Sequence, residues 1–584
     1  MRTSRRFLAG LSGMFLMGFL VLTVTLWRVQ ITDVGTWREA HQVQATRRIR
    51  TSGLRGRILD REGRVLADCR ASRNVVMHPE LFSAAEAESR ASAAYLGMER
   101  LKDLLGLEPC ASEKSVLRHM QRASALPLVV FKDLDDASLA VFEEHSNEHP
   151  GFSVETSAER EYPFGSLACH TIGYVGRDLP KVDASESPAR FHFLERELKG
   201  RSGIEAYYDA YLAGAPGERH VNVDALGYAR GQAGEELMRA PTDGPDLMLT
   251  IDARLQRALE KELEGEIGAG VVLDPRDGAV LAIASSPSYD LNTLVPSISS
   301  ETYAALTNDT SKPLINRAIG GLYEPGSTFK PITAMAASAA GIPPSATYVC
   351  NGIYRGTHCM NRWGHGELSL RSALEHSCNP FFLHLADIAG TNGVCATAKE
   401  FGLGKKTGID LRGESAGSVD PWVTQAAIGQ GQLQVTPLQM AVVAATLANG
   451  GFIFRPYLKQ PEEGQPKPVP VRALEFDDYT YQLVRLGMRD VVETGSGKRI
   501  LTRYDEDGTK HPLKVKCAGK TGTAERGSGA NRRKNAWVIA FAPFDDPTVA
   551  IALVIEHADS GGLTAGPKVH NVLRAVFGEK GDEA

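Results

Sequence analysis

Phe7 to Trp27 is an apolar run interrupted only by small or hydroxyl residues. At about 1.5 Å per residue it makes a helix of roughly 31 Å, enough to cross the hydrocarbon core of a bilayer. Trp27-Arg28-Val29-Gln30 follows, not the small-x-small exit of a cleaved leader, so the run reads as a retained anchor over residues 7–27. Arg2, Arg5 and Arg6 keep residues 1–6 cytoplasmic and put the body of the chain outside the membrane. No later run is long enough to span.

Beyond the anchor the pattern shortens and alternates. Residues 28–240 are polar and rich in Arg and Glu. Within them, apolar positions alternate on both sides of Arg61-Glu62-Gly63, which predicts a hairpin over 55–67. Helical periodicity appears over 83–106 and 112–123, and Gly203–Tyr208 opens a helical stretch suited to packing two domains together. Ala240–Pro245 has the composition of a linker. Past it, Asp252 caps a predicted helix to about Gly265, and Gly270–Asp274 with Ala279–Ile283 reads as a hairpin of buried strands. A mostly helical stretch follows. Strands return near 515–520, 536–542 and 549–556, and 567–577 closes as a helix. The expectation is an α+β fold: a five-stranded antiparallel sheet flanked by helices in 241–584, carried on a pedestal of residues 28–240.

Composition adds one exclusion. A net charge of −5 and a pI near 6.3 give no footing for nucleic acid.

Three short patterns carry the candidate chemistry: Ser327-Thr-Phe-Lys330, Ser377-Cys378-Asn379 and Lys520-Thr521-Gly522. Ser327 and Lys330, three apart on a helix, share a face, so a neutral amine can take the hydroxyl proton. Pro325-Gly326 breaks the chain just before them. The serine is therefore expected at a helix start, where backbone N–H groups stabilise an oxyanion. Lys330 must be lowered from about 10.4 by burial or by a cation such as Lys520. Ser377 can relay a proton to a leaving amine, and Asn379 can hold a substrate carbonyl. Lys520, Thr521 and Thr523 suit a terminal carboxylate, with Gly522 leaving room for an extended peptide at the strand edge.

In this order the three patterns resemble the penicillin-recognising serine enzymes. With the anchor, the Arg55–Arg61 hairpin, Asn316-Arg317-Ala318, Thr407–Asp410, Ile428–Gly431 and Val435-Thr436-Pro437, the chain resembles a class B penicillin-binding protein. The resemblance implies a penicillin-binding transpeptidase fold and a D,D-transpeptidase of peptidoglycan stem peptides. It implies Ser327 as the acylated residue, also toward β-lactams, and Ser327 and Thr523 amides as the oxyanion site. No cofactor enters the chemistry. It implies as partners a polytopic membrane glycosyltransferase (RodA-like) and elongation scaffold proteins. Ile428–Gly431, His365–Leu368 and Phe381-Phe382 resemble the elongation type, although Asn379 stands where many of that type carry an acidic residue. The division type is the alternative. A serine β-lactamase or penicillin sensor would share the motifs, and a non-catalytic scaffold is the reading outside enzymes.

Of eight cysteines, Cys350, Cys359 and Cys378 cluster around His365. Three thiolates and an imidazole suit a structural zinc, and elongation-type relatives carry one in this region. A Cys350–Cys359 disulfide and unlinked thiols are the competing readings. Arg532-Arg533-Lys534 reads as a solvated loop.

Overall fold

The N-terminal apolar run forms one helix, α1 (Arg2–Trp27), whose helical course continues through Thr32. Over Phe7–Thr32 it is the one helix among the described residues long and apolar enough to cross a membrane, and none of that span is buried against the rest of the protein. The computed structural model describes residues 2–35, 46–82, 87–178, 193–194, 197–230, 235–295, 297–419, 424–462, 464–505, 507–526 and 533–578.

The expected hairpin pairs β1 (Ile58–Leu59) with β2 (Val65–Met77). Asp60 makes its turn, because its buried carboxylate accepts from the amides of Glu62 and Arg64 at 2.9 and 2.8 Å. Helices Ala87–Leu105 and Glu113–Arg122 lie where the periodicity predicts them, and residues 83–86 fall outside the described set. β3 (Leu128–Phe131) and β4 (Phe152–Glu161) both pair with β2, and β5 (Leu247–Met248) pairs parallel with β1.

Ala240–Pro245 is held in place rather than free. Thr242 bridges Ala215, and the Gly244 amide donates to the Leu54 carbonyl at 2.8 Å. Its Pro and Gly therefore serve close packing. Gly203–Tyr207 is a short helix with Glu205 fully buried between Arg55 and Arg160, at 2.6 and 2.7 Å. Just past it, the Tyr208 hydroxyl donates to Asp410 Oδ2 at 2.8 Å. The Asp410 carboxylate also accepts from the Leu458 and Lys459 amides. The expected contact between the two halves of the chain thus includes a link from the half-buried Tyr208 to the buried Asp410 carboxylate.

The second half builds on one sheet. After α2 (Ala253–Leu263), capped by Asp252, come β6 (Gly268–Leu273) and β7 (Val280–Ser286). Then follow α3 (Lys330–Ala339), α4 (Leu370–Glu375), α5 (Asn379–Ala389), α6 (Pro437–Ala448) and α7 (Asp478–Glu493). The chain returns through β8 (Ala518–Arg526), β9 (Arg533–Ala542) and β10 (Val549–Ile555) to α8 (Gly566–Phe577). The antiparallel order is β7-β6-β10-β9-β8, so the first and last strands in sequence pair inside the sheet and β7 and β8 form its edges.

All of β6, β7 and β10 is buried, as near-continuous apolar strands are when both faces are covered. Leu255, Leu259, Val569 and Leu573 of α2 and α8 cover one face, and α6, buried along its whole length, belongs to the core on the other. Two sequence boundaries shift. β8 begins at Ala518 and runs to Arg526, so Lys520-Thr521-Gly522 lies inside the strand rather than at its end. Arg533 and Lys534 open β9 rather than a loop, while Arg532 lies outside the described residues.

Candidate active site

Ser327 occupies a single 3-10 turn, Gly326–Phe329, that runs directly into α3. Pro325 begins the turn and the buried Phe329 anchors it. Two close approaches fix its position. The Gly326 amide donates to the Gly429 carbonyl at 2.8 Å, and a Cβ on Gly429, whose φ is +74°, would lie 2.0 Å from the Gly326 oxygen. On the opposite side, a Cβ on Gly522 of β8 would lie 2.9 Å from the Pro325 oxygen and 3.1 Å from the Thr328 amide nitrogen. The serine turn is thus clamped between the 428–431 loop and the edge strand. The room that Gly522 leaves is filled by the backbone of the serine turn.

Lys330 is fully buried, and its Nζ reaches three oxygens: Ser377 O at 2.7 Å, Asn379 Oδ1 at 2.7 Å and Ser377 Oγ at 3.1 Å. Burial lowers its pKa to about 7, against the opposing pull of Cys378 and Cys359. Lys520, also fully buried, donates to Ser377 Oγ at 2.9 Å and to its neighbour's Thr521 carbonyl at 3.0 Å. Its pKa is held far below the usual lysine range by burial and by Lys330. Burial is thus the main cause at both lysines, with repulsion between the two buried amines added to it.

Counting hydrogens orients this cluster. A neutral amine has two N–H groups and one lone pair, while a carbonyl or an amide oxygen can only accept. The two Lys330 hydrogens therefore go to Ser377 O and Asn379 Oδ1, and its lone pair faces the Ser377 hydroxyl, which accepts in turn from Lys520. Ser377 sits in the turn between α4 and α5 at φ +53°, a left-handed conformation rare for a residue with a side chain. That strained turn is what presents its carbonyl and hydroxyl to the same amine. Among the described residues Ser327 Oγ has no hydrogen-bond partner, Lys330 included.

The predicted carboxylate side of the cleft is also assembled. Thr521 Oγ1 lies 2.7 Å from Ser496 Oγ, and Thr523 Oγ1 accepts from the Gly561 amide at 3.3 Å.

The four expected ligands converge. The ligand atoms of Cys350, Cys359, His365 and Cys378 lie within 4.8 Å of one another. Cys359 Sγ is 3.4 Å from His365 Nδ1 and 4.0 Å from Cys378 Sγ. All eight cysteines are free thiols, so the Cys350–Cys359 disulfide is not formed. The hydrogen bond from Cys378 lowers the Cys359 thiol to about 5, and the same contact raises Cys378. Three thiols and an imidazole gathered this closely are the donor types of a structural zinc site.

Comparison with known proteins decides the family. Residues 268–574 match the penicillin binding protein transpeptidase domain and residues 50–249 the penicillin-binding protein dimerisation domain. The chain is 31% identical over 600 residues to the peptidoglycan D,D-transpeptidase MrdA of Acinetobacter baumannii, covering 95% of this chain and 85% of that one. It belongs to the penicillin-binding protein 2 family.

Two solved structures of the family superpose over most of the chain. Penicillin-binding protein 2 of Helicobacter pylori, in a complex with MreC, has a TM-score of 0.73 at 26% identity, covering 91% of this chain and 99% of its own. A chain from a peptidoglycan synthase complex that coordinates polymerization and crosslinking has a TM-score of 0.70 at 27% identity, covering 98% and 99%.

Sequence reading missed two parts of this penicillin-binding protein's site. Gly429 was visible only as one glycine in Ile428-Gly429-Gln430-Gly431, with no sign that its carbonyl braces the serine turn. Ser496, in Gly495-Ser496-Gly497, carried no signal at all, because its partner Thr521 is 25 residues away.

Proposed function

We propose that this chain is the peptidoglycan D,D-transpeptidase of cell-wall elongation. The reading rests on one observation: Ser377 Oγ lies within hydrogen-bond distance of both buried lysines while Lys330 follows the serine turn within one helical turn. Ser327 attacks the penultimate D-alanine carbonyl of a stem peptide. Rotation about Cε–Nζ turns the Lys330 lone pair from Ser377 to Ser327 Oγ, and the amine takes the serine proton as the new C–O bond forms. The Ser327 and Thr523 amides hold the oxyanion.

Breakdown of the tetrahedral adduct expels the D-alanine nitrogen. Ser377 passes its hydroxyl proton to that nitrogen and regains one from Lys330. Lys520, Thr521 and Thr523 hold the terminal carboxylate of the donor, and Asn379 its backbone. An amine of a neighbouring stem then attacks the acyl-enzyme, forms the cross-link and returns Ser327 to the free hydroxyl. A β-lactam enters by the same attack, but its amine stays tethered. The MrdA relative supports the substrate assignment and the elongation role over a division role.

Residues 1–6 are proposed as cytoplasmic, 7–27 as a single inner-membrane anchor, 28–240 as the pedestal and 241–584 as the periplasmic catalytic domain. The relatives solved with MreC and within a synthase complex support a scaffold partner of the MreC kind and a polytopic membrane glycosyltransferase. The test is incubation of the purified protein with a penicillin, followed by intact mass and peptide mapping. One stable adduct per chain on the peptide bearing Ser327 is expected. An adduct elsewhere, none at all, or one hydrolysed within seconds would overturn the reading.

Cys350, Cys359, His365 and Cys378 would together hold a zinc ion, which would supply a structural cross-link and no chemical step. Because Cys378 lies between Ser377 and Asn379, that cross-link would hold the strained turn against Lys330. Metal analysis of the native protein is expected to find about one zinc per chain. Cys350→Ser is expected to lose the metal and to acylate more slowly. A metal-free native protein that acylates normally would remove zinc from the account.

A further inference from the structure

Trp363 is 94% exposed and Met360 81%, on the loop between Cys359 and His365. An indole so exposed on a well-built loop is unusual, since large apolar surface in water is unfavourable unless a ligand covers it. The loop itself is firmly held. Asn361 Nδ2 donates to the Gly364 carbonyl at 2.6 Å, the Trp363 amide donates to Asn361 Oδ1 at 3.2 Å, and the Gly364 amide returns to the Asn361 carbonyl at 3.0 Å. At its two ends the Cys359 and His365 amides donate to the Gly352 and Cys350 carbonyls at 2.8 and 3.1 Å. Among the described residues no ring or cation packs on Trp363. Its exposure is therefore built in by the backbone.

The loop is continuous with the cleft. Asn379 Nδ2 donates to the His358 carbonyl at 3.4 Å, and Trp363 is five residues further on. At about 3.4 Å per residue the indole lies within roughly 17 Å of chain from that contact, a distance comparable to a short extended peptide in the cleft. Sugar rings present their C–H faces to the negative face of an indole, and such contacts need a flat, exposed, rigidly held ring.

We propose that the Met360–Gly364 loop is a saccharide platform, with Trp363 stacking on the glycan strand that carries the stem peptide. This rests on the transpeptidase reading and adds a binding site for the sugar portion of the same substrate. It explains why a rigid loop, anchored beside the Ser377–Asn379 turn, holds out an uncovered tryptophan.

The test compares wild type, Trp363→Ala and Trp363→Phe as full-length protein. Three ligands are titrated: peptide-free glycan oligomers, an isolated stem pentapeptide and anionic lipid vesicles. Calorimetry reports binding in all three, tryptophan fluorescence adds the response of the wild type, and penicillin acylation is measured in parallel. Glycan is expected to quench the wild type and to bind Trp363→Ala about tenfold more weakly, with Trp363→Phe in between. Penicillin acylation and pentapeptide binding stay unchanged in all three. Equal glycan affinity in wild type and Trp363→Ala would overturn the platform, as would a defect that extends to the pentapeptide or a fluorescence response to vesicles alone. Failure of penicillin acylation in the wild type would instead strike the transpeptidase reading beneath it.

Discussion

Ser327→Ala abolishes covalent labelling by any β-lactam and leaves the stability of the protein within about 0.5 kcal/mol of wild type. The two halves of that expectation have separate physical grounds. Acylation needs an oxygen at this one position, and no neighbouring hydroxyl can replace it, because Ser377 Oγ is already held between two lysines. Stability is unaffected because the half-buried Ser327 hydroxyl has no partner to strand among the described residues. Fluorescent penicillin on a gel reads the first half and thermal unfolding the second. Residual labelling in Ser327→Ala would mean that another nucleophile does the chemistry. A large fall in melting temperature would mean that the serine is structural.

Lys330→Met slows acylation by roughly 10²–10⁴-fold, the range expected for loss of a positioned general base. Methionine keeps most of the length of the side chain but carries neither the amine lone pair nor the hydrogens that orient Ser377. The pH dependence should change with it. Burial lowers the Lys330 pKa to about 7, so below that value the amine is protonated and inactive. The active form is the neutral one, so the wild-type rate falls about tenfold per unit of pH on the acid side and levels off above the pKa. Lys330→Met should show a low rate without this inflection. Stopped-flow acylation from about pH 5.5 to pH 9 separates the outcomes. A wild-type rate that is flat across the range, or a mutant that retains the step near pH 7, would assign the base elsewhere.

Both expectations depend on how much of the site each level of description reveals. Ser327 and Lys330 were legible in the sequence because their relation is local: three residues on one helical turn share a face whatever the rest of the chain does. The antiparallel sheet was legible because β6, β7, β9 and β10 are dense apolar runs bounded by turn residues, and the long N-terminal helix because Phe7 to Trp27 runs without a charge. The cluster of Cys350, Cys359, His365 and Cys378 stood out by residue type, as three thiols and an imidazole within 29 residues.

Other relations had no local signal. The reach of Lys330 to Ser377 spans 47 positions, that of Lys520 to the same hydroxyl 143, and that of Tyr208 to Asp410 202. No periodicity encodes such pairings, because each depends on where sheet and helices bring distant segments together. Tertiary packing likewise buries both lysines, lowers their pKa values and makes Gly429 and Gly522 walls of the serine turn. It also turned an apparent linker at 240–245 into packed structure, since Pro and Gly mark close approach as readily as freedom.

The sequence by itself determined the family, the candidate nucleophile, the long apolar helix and the segments that become strands, all properties of short segments and residue chemistry. Only the tertiary structure decided which way the proton network runs and why Ser377 adopts a strained turn. It alone decided that Trp363 stands uncovered beside the cleft, because burial, hydrogen-bond direction and exposure belong to the packed chain and not to any segment of it.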